Sequence, residues 1–187
     1  MRTRIYLAGP DVFRPNALEI GARKKAICAQ YGAEGLFPID NEVSVHVPQA
    51  SKAIFAGNIE MLESCDVVLA NLTPFRGVGA DQGTAFEIGY AHGRGKAIHG
   101  YSLDARTLLD RLRQLGATQR GQTWVDQNDD AIENFGLIDN LMLVEAIGFS
   151  GGVLTTLESD LDEFALFEHA VRRLVDMQTP SHRRRKI

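Results

Sequence analysis

The chain has 187 residues, 44% of them hydrophobic and 24% charged, with a formal net charge of -4. That length supports one domain with a full core, and the mild acidity argues against any general attraction to nucleic acid or anionic membrane. The longest apolar stretches are far too short to span a bilayer.

The first six residues run straight into a strand without the apolar core of a signal peptide. Residues 5–8 are an apolar run stopped by Gly9-Pro10, which predicts a strand and a turn. Residues 16–31 predict an amphipathic helix with Leu18, Ala22, Ala26 and Cys28 as its apolar positions. Residues 35–38 predict a second short strand and residues 40–49 a polar loop. A helix follows over 53–64, with Ile54, Ile59 and Leu62 as core positions. The run 66–72 is a third strand. A Pro/Gly loop over 73–80 leads to a helix over 83–92, punctuated by Gly93 and Gly95. Residues 97–101 predict a fourth strand.

Residues 103–115 predict a helix that is Arg-rich on its exposed face. Residues 116–134 are polar and predict an inserted surface loop, and 136–148 return to apolar residues around Asp139-Asn140. A fifth strand is expected over 152–156 and a strongly amphipathic helix over 157–177, closing one face of the sheet. The basic run at 180–186 predicts a disordered, solvated tail. Strands alternating with helices imply a parallel sheet of about five strands with helices on both faces, joined by right-handed crossovers. The expected organisation is one domain over 1–177 and a tail over 178–187. Cys28 and Cys65 lie in helical segments without metal-ligand spacing and read as free thiols, which favours the cytoplasm.

The most informative stretch is Asp81-Gln82-Gly83-Thr84-Ala85-Phe86-Glu87-Ile88-Gly89-Tyr90. It opens a helix after a strand and a loop, which puts carboxylates at the carboxyl edge of the sheet, where open α/β folds bind ligands. Asp81 is placed either to cap the helix or to face the cleft. Glu87 sits one turn inside, near the positive end of the helix dipole, between apolar Phe86 and Ile88. It reads either as a structural ion-pair partner or as a carboxylate that attacks an electrophilic carbon. Glycosyl transfer uses the second chemistry: a carboxylate traps an oxocarbenium-like sugar. Gly77, Gly79 and Gly83 have the wrong spacing and follow the wrong strand for a dinucleotide fingerprint.

Five segments occur in the same order in the nucleoside 2-deoxyribosyltransferase family, which the chain resembles over about residues 1–170. They are Ile5-Tyr6-Leu7-Ala8-Gly9-Pro10, Pro38-Ile39-Asp40-Asn41, the run from Cys65 to Gly77, the block from Asp81 to Gly89, and Asp139-Asn140-Leu141-Met142-Leu143. The resemblance implies a flavodoxin-like α/β fold and a retaining double displacement between 2′-deoxynucleosides and free nucleobases. Glu87 matches the nucleophile, Tyr6 a tyrosine that holds it, and Asp81 an aspartate that binds the sugar hydroxyls. Asn140 matches an asparagine that reaches the 5′-hydroxyl in a neighbouring subunit's site, with Met142 beside it, so a homo-oligomer is implied. Gly9 lies in the first loop of the substrate site. Phe13, at the end of that loop, is placed either to stack on the base or to join the core.

Asn58 stands where some family members carry the aspartate that protonates the departing base, and reads either as a hydrogen-bonding partner of the base edge or as a helix-surface residue. An amide is no general acid near neutral pH, so Asp40, Glu42 or water would have to supply the proton. Glu42 also stands where some members have a base-binding glutamine. No metal or other cofactor is expected, since the five histidines are scattered without ligand spacing.

Two other readings compete. A hydrolase of 2′-deoxynucleoside 5′-monophosphates resembles the chain at Tyr6 and Glu87. It needs phosphate donors, and the first loop offers one Arg beside one Asp. A non-catalytic nucleotide-binding module would have no use for a nucleophile at the mouth of a helix.

Overall fold

A computed structural model describes residues 2–41, 48–156 and 162–178. In chain order the elements are β1 (Arg4–Ala8), α1 (Ala17–Gln30), β2 (Glu34–Leu36), α2 (Ala50–Ser64), β3 (Val67–Asn71), α3 (Gln82–Gly93) and β4 (Ala97–Ser102). There follow α4 (Leu108–Gln114), β5 (Thr118–Arg120), β6 (Thr123–Val125), β7 (Ala131–Ile132), α5 (Leu141–Phe149), β8 (Leu154–Thr156) and α6 (Glu163–Gln178). Single turns of 3-10 helix follow β1 at Pro10–Phe13 and β2 at Pro38–Asn41. Glu42, the start of the predicted last helix at 157–161 and the tail from 179 onward lie outside the described residues.

The main sheet has the order β2-β1-β3-β4-β8 and is parallel throughout. This is the flavodoxin-like order, as expected. The chain leaves β1 toward one edge, returns, and grows the other way from β3, so the crevice between the ends of β1 and β3 is the switch point. Strand alternation sorts the core into two layers. Ile5, Leu7, Val67 and Leu69 meet α1 and α6 on one face. Tyr6, Ala8, Val68 and Ala70 meet α2, α3 and α5 on the other.

The buried stripe of α1 differs from the expected one. Ala17, Ile20, Gly21, Lys24, Ile27 and Cys28 face the sheet, whereas Leu18 is 73% exposed and Ala22 and Ala26 face solvent. The two isoleucines seven residues apart set the phase, because their burial outweighs that of two alanines. In α6, Asp162 Oδ1 accepts from the amides of Phe164 and Ala165, and Leu166, Phe167, Ala170, Val171 and Leu174 form the buried stripe.

Two further expectations are corrected. The predicted surface loop over 116–134 holds a small antiparallel sheet, β5-β6-β7. Arg120 pairs with Thr123 across a two-residue hairpin turn, and Gly121 takes φ 64 there. Each of its strands has only two or three residues, too few for a clear alternation. The predicted helix over 103–115 shrinks to α4, and its Arg111 is 5% exposed rather than on the outer face. Arg111 donates to the carbonyls of Val78, Arg106 and Ile138, which satisfies a buried guanidinium. Both cysteines are free and buried. Among the described residues, no helix is long and apolar enough to cross a membrane.

Candidate active site

Tyr6 and Glu87 meet on the α3 side of the switch point. Tyr6 is fully buried at the centre of β1, opposite Leu36 and Val68. Its Oη donates to Glu87 Oε1 at 2.5 Å, across 81 residues of sequence. Strand geometry puts Tyr6 on this face, and the helix brings Glu87 to it six residues after the cap. Burial is the main reason the Glu87 carboxyl is pushed up to about 7; the Tyr6 hydrogen bond opposes the shift and the Asp81 charge adds to it. The Tyr6 phenol is raised well above its ordinary range, first by burial and then by the Glu87 charge.

Asp81 caps α3. Its Oδ2 accepts from the Thr84 amide at 3.1 Å and lies 3.4 Å from Thr84 Oγ1. It also lines an open cavity of about 340 Å³ with Phe75, Arg76, Gly77, Gly79, Ala80 and Gln82. Of the two alternatives at this position the cap is realised; the cavity that Asp81 also lines takes in neither Tyr6 nor Glu87. Of the apolar neighbours of Glu87, Ile88 is buried but Phe86 is 50% exposed and sits between the Phe55 and Tyr90 rings.

Phe13 is 53% exposed, so it is no core residue. Its ring stacks on Phe75 with centroids 5.4 Å apart and planes 13° from parallel. The Arg76 guanidinium lies 4.9 Å from the Phe13 centroid and 4.7 Å from that of Phe75. Gly9 accepts no side chain: a Cβ there would stand 2.8 Å from Asn71 Cβ and 2.9 Å from Asp11 Oδ2. Its backbone is extended, with φ 161, so close approach and not conformation requires the glycine.

Asp40 is held on the periphery. Its Oδ2 accepts from the Phe37 amide at 3.1 Å, and its Oδ1 from Lys25 Nζ at 2.6 Å. Asn58 is half-buried on α2. Asn140 caps α5: its Oδ1 accepts from the Met142 amide at 3.0 Å and its Nδ2 donates to Glu133. Met142 is 70% exposed. Among the described residues no hydrogen bond joins Asn140 to Tyr6, Asp81 or Glu87 of the same chain.

Several residues that shape the cleft were not singled out from the sequence. Asp139 is 4% exposed and accepts from the amides of Ala80 and Asn140, both at 2.8 Å. It ties the loop before α3 to the start of α5, and burial raises its carboxyl. Its place directly before Asn140 was the available signal. The buried ion pair of Lys24 and Asp11, at 2.7 Å, lies on the α1 side of the crevice. A lysine at position 24, in phase with Ile20 and Ile27, was the signal for it. Among the described residues no group of three or more His, Cys, Asp or Glu side chains is arranged to hold a metal ion.

Comparison with known proteins identifies the family and the fold. The family profile for nucleoside 2-deoxyribosyltransferase matches residues 5–142. An uncharacterized protein of Schizosaccharomyces pombe is 29% identical, covering 95% of this chain and 91% of its own. The structure of a 2-desoxiribosyltransferase from Leishmania mexicana is 30% identical with a TM-score of 0.68, covering 94% of this chain and 99% of its own. A 2-deoxyribosyltransferase from Bacillus psychrosaccharolyticus, at 19% identity and TM-score 0.51 over 88% of this chain and 96% of its own, shares the fold. The profile match takes in the Tyr6 strand, the whole Asp81–Glu87 block and Asn140, and the chain belongs to the nucleoside 2-deoxyribosyltransferase family.

Proposed function

We propose that this chain transfers 2-deoxyribose between nucleobases through a covalent intermediate on Glu87. The observation that carries the reading is the Tyr6–Glu87 hydrogen bond at 2.5 Å, with the carboxyl pushed up to about 7 by burial. Tyr6 occupies Oε1 and leaves Oε2 for the anomeric carbon. In the first half-reaction Oε2 attacks C1′. The C1′–N bond breaks, and the base leaves with the bonding pair and takes up a proton. In the second, a ring nitrogen of the acceptor base attacks C1′, the ester bond returns its electrons to Glu87, and the acceptor loses a proton. Two inversions give net retention. The sugar lacks a 2′-hydroxyl, so its oxocarbenium-like transition state forms readily and one oriented carboxylate suffices.

The other site residues take supporting roles. Asp81, at the N-terminus of the helix that carries Glu87, binds sugar hydroxyls. Phe13 stacks on the base, and Gly9 leaves the sugar room. Asn58 hydrogen-bonds the base edge but donates no proton. Asp40 is held by Lys25 and the Phe37 amide, which disfavours it as the acid. The departing base then takes its proton from Glu42 or water. No cofactor is required. Arg14, the cation of the first loop, is engaged by Glu163 at 2.7 Å, so that loop is no phosphate cradle. The substrates are 2′-deoxynucleosides and free bases rather than 5′-monophosphates, which fits a role in cytoplasmic nucleoside salvage.

Assembly completes the site in this reading. Phe55, Phe86 and Met142 are exposed on α2, α3 and α5, helices of one sheet face. A second copy of the chain covers them and brings its Asn140 to the 5′-hydroxyl.

The test is chromatography of purified protein with thymidine or deoxyinosine, with and without free adenine. Deoxyadenosine that appears only with adenine supports the reading. Base release that ignores the acceptor would replace it with a hydrolase, and binding without turnover would leave a non-catalytic module.

A further inference from the structure

A buried polar network lies under the first loop, on the opposite sheet face from Glu87. Lys24 is 1% exposed and Asp11 4% exposed. Lys24 Nζ donates to Asp11 Oδ2 and to Tyr101 Oη, each at 2.7 Å. Asn71 Nδ2 donates to the same Asp11 oxygen at 3.3 Å. Asn71 Oδ1 accepts from the Thr73 amide at 3.0 Å, and Thr73 Oγ1 accepts from the Leu103 amide at 3.0 Å. One run of bonds therefore links α1, the loop after β1, the end of β3 and the loop after β4.

Stability alone does not call for this arrangement. Lys24 sits in the apolar stripe of α1, between Ile20 and Ile27, where a leucine or methionine would bury well. Replacing a buried ion pair by apolar residues of similar volume is often neutral or stabilising. What the pair supplies is direction: Asp11 is fixed from two sides. Asp11 lies in the single turn Pro10–Phe13 that ends in Phe13, and Asn71 and Thr73 begin the segment that ends in Phe75. Phe13 and Phe75 are the two rings of the exposed stack. The network thus sets the spacing of the two loops that carry them, and Gly9 packs against Asn71 and Asp11 at its edge.

We propose that Lys24, Asp11 and Asn71 are positioning residues that hold the first loop, with Gly9 and Phe13, in its binding geometry. The kinetic half of this inference rests on the deoxyribosyl-transfer reading; the structural half does not.

The experiment is the double substitution Lys24→Met with Asp11→Asn, which removes the pair and leaves no orphaned buried charge. Amide exchange of peptides covering residues 10–16 should speed up while peptides from α3 and α5 hold their wild-type rates. KM for donor and acceptor should rise about tenfold with kcat within about twofold, the signature of lost uniform binding. The acidic limb of the pH profile should stay in place, because Tyr6 and Glu87 are untouched. The single substitution Lys24→Met leaves Asp11 buried without its cation and should melt at markedly lower temperature than the double variant. Wild-type exchange and wild-type KM in the double variant would overturn the proposal. So would a lowered melting temperature with unchanged KM, or a double variant that does not fold. If wild-type protein shows no transfer, the functional reading fails, and the exchange arm still decides whether the network holds the loop.

Discussion

Replacing Tyr6 by Phe removes one hydroxyl from a fully buried ring and leaves Glu87 Oε1 without its donor. A hydrogen bond to a charged group contributes about 1.5–3 kcal/mol, and each 1.36 kcal/mol corresponds to about one pH unit. The Glu87 carboxyl, at about 7 with the bond in place, should therefore climb by roughly one to two pH units in the variant. Attack on C1′ requires the carboxylate. At pH 7 about half of the wild-type protein carries it, against roughly a tenth to a hundredth of the variant. The assay is kcat/KM for transfer from thymidine to adenine between pH 5 and about 9.5, which reads the free enzyme. The acidic limb should lie near 7 in the wild type and move upward in Tyr6→Phe. The loss should be about 5- to 50-fold at pH 7 and shrink toward high pH. A limb that does not move, or a loss independent of pH, would refute the claim that Tyr6 acts by holding the ionised form of Glu87.

Glu87→Gln should abolish transfer and yet stabilise the fold. The folded carboxyl lies above its ordinary value of 4.5, so folding favours its protonated form. The resulting penalty is absent below about 4.5, grows as pH rises and is complete above about 7. Urea titration should show no gain for the variant near pH 4 and a gain of roughly 2–4 kcal/mol at pH 8. His99 works with the opposite sign. It is 3% exposed, its Nδ1 has no partner among the described residues, and burial lowers its pKa from 6.5 to about 4. Stability should fall as pH drops from about 6.5 toward 4, and His99→Leu should remove that acid sensitivity in the same titrations. Gly9→Ala forces a Cβ against Asn71 and Asp11 and should cost about 1–3 kcal/mol in thermal melts, with a raised KM for the donor. Phe13→Ala should raise KM by roughly 2- to 10-fold, the worth of one aromatic stack, with little change in melting temperature.

The legible parts of this protein were those with strong local signals. The four runs around Ile5, Gly35, Val67 and Ile98 are apolar stretches ended by turn residues, and all became strands of the parallel sheet. The helix after Asp81 was plain in the sequence, and the cap was one of two readings of Asp81. The partnership of Tyr6 with Glu87 was not: 81 residues separate them, and only the resemblance joined them before the fold did. The phase of α1 differs because the expected stripe followed Leu18, Ala22 and Ala26 and left out Ile20 and Ile27; only Cys28 is common to both. A buried lysine also breaks the rule that charge marks the outer face. Arg111 failed for the same reason: its partners are backbone carbonyls, which leave no trace in a sequence. The strands of the β5-β6-β7 sheet are shorter than the windows in which alternation can be recognised.

The central claim is a covalent bond between the sugar and Glu87. It is tested most directly by mixing the protein with thymidine in the absence of acceptor, quenching, and mapping the peptides by mass spectrometry. The account predicts one 2-deoxyribosyl group on the peptide that contains Glu87, absent from Glu87→Gln and discharged to deoxyadenosine when adenine is added before the quench. Transfer that proceeds at full rate while that peptide stays unmodified, or that survives Glu87→Gln, would contradict it.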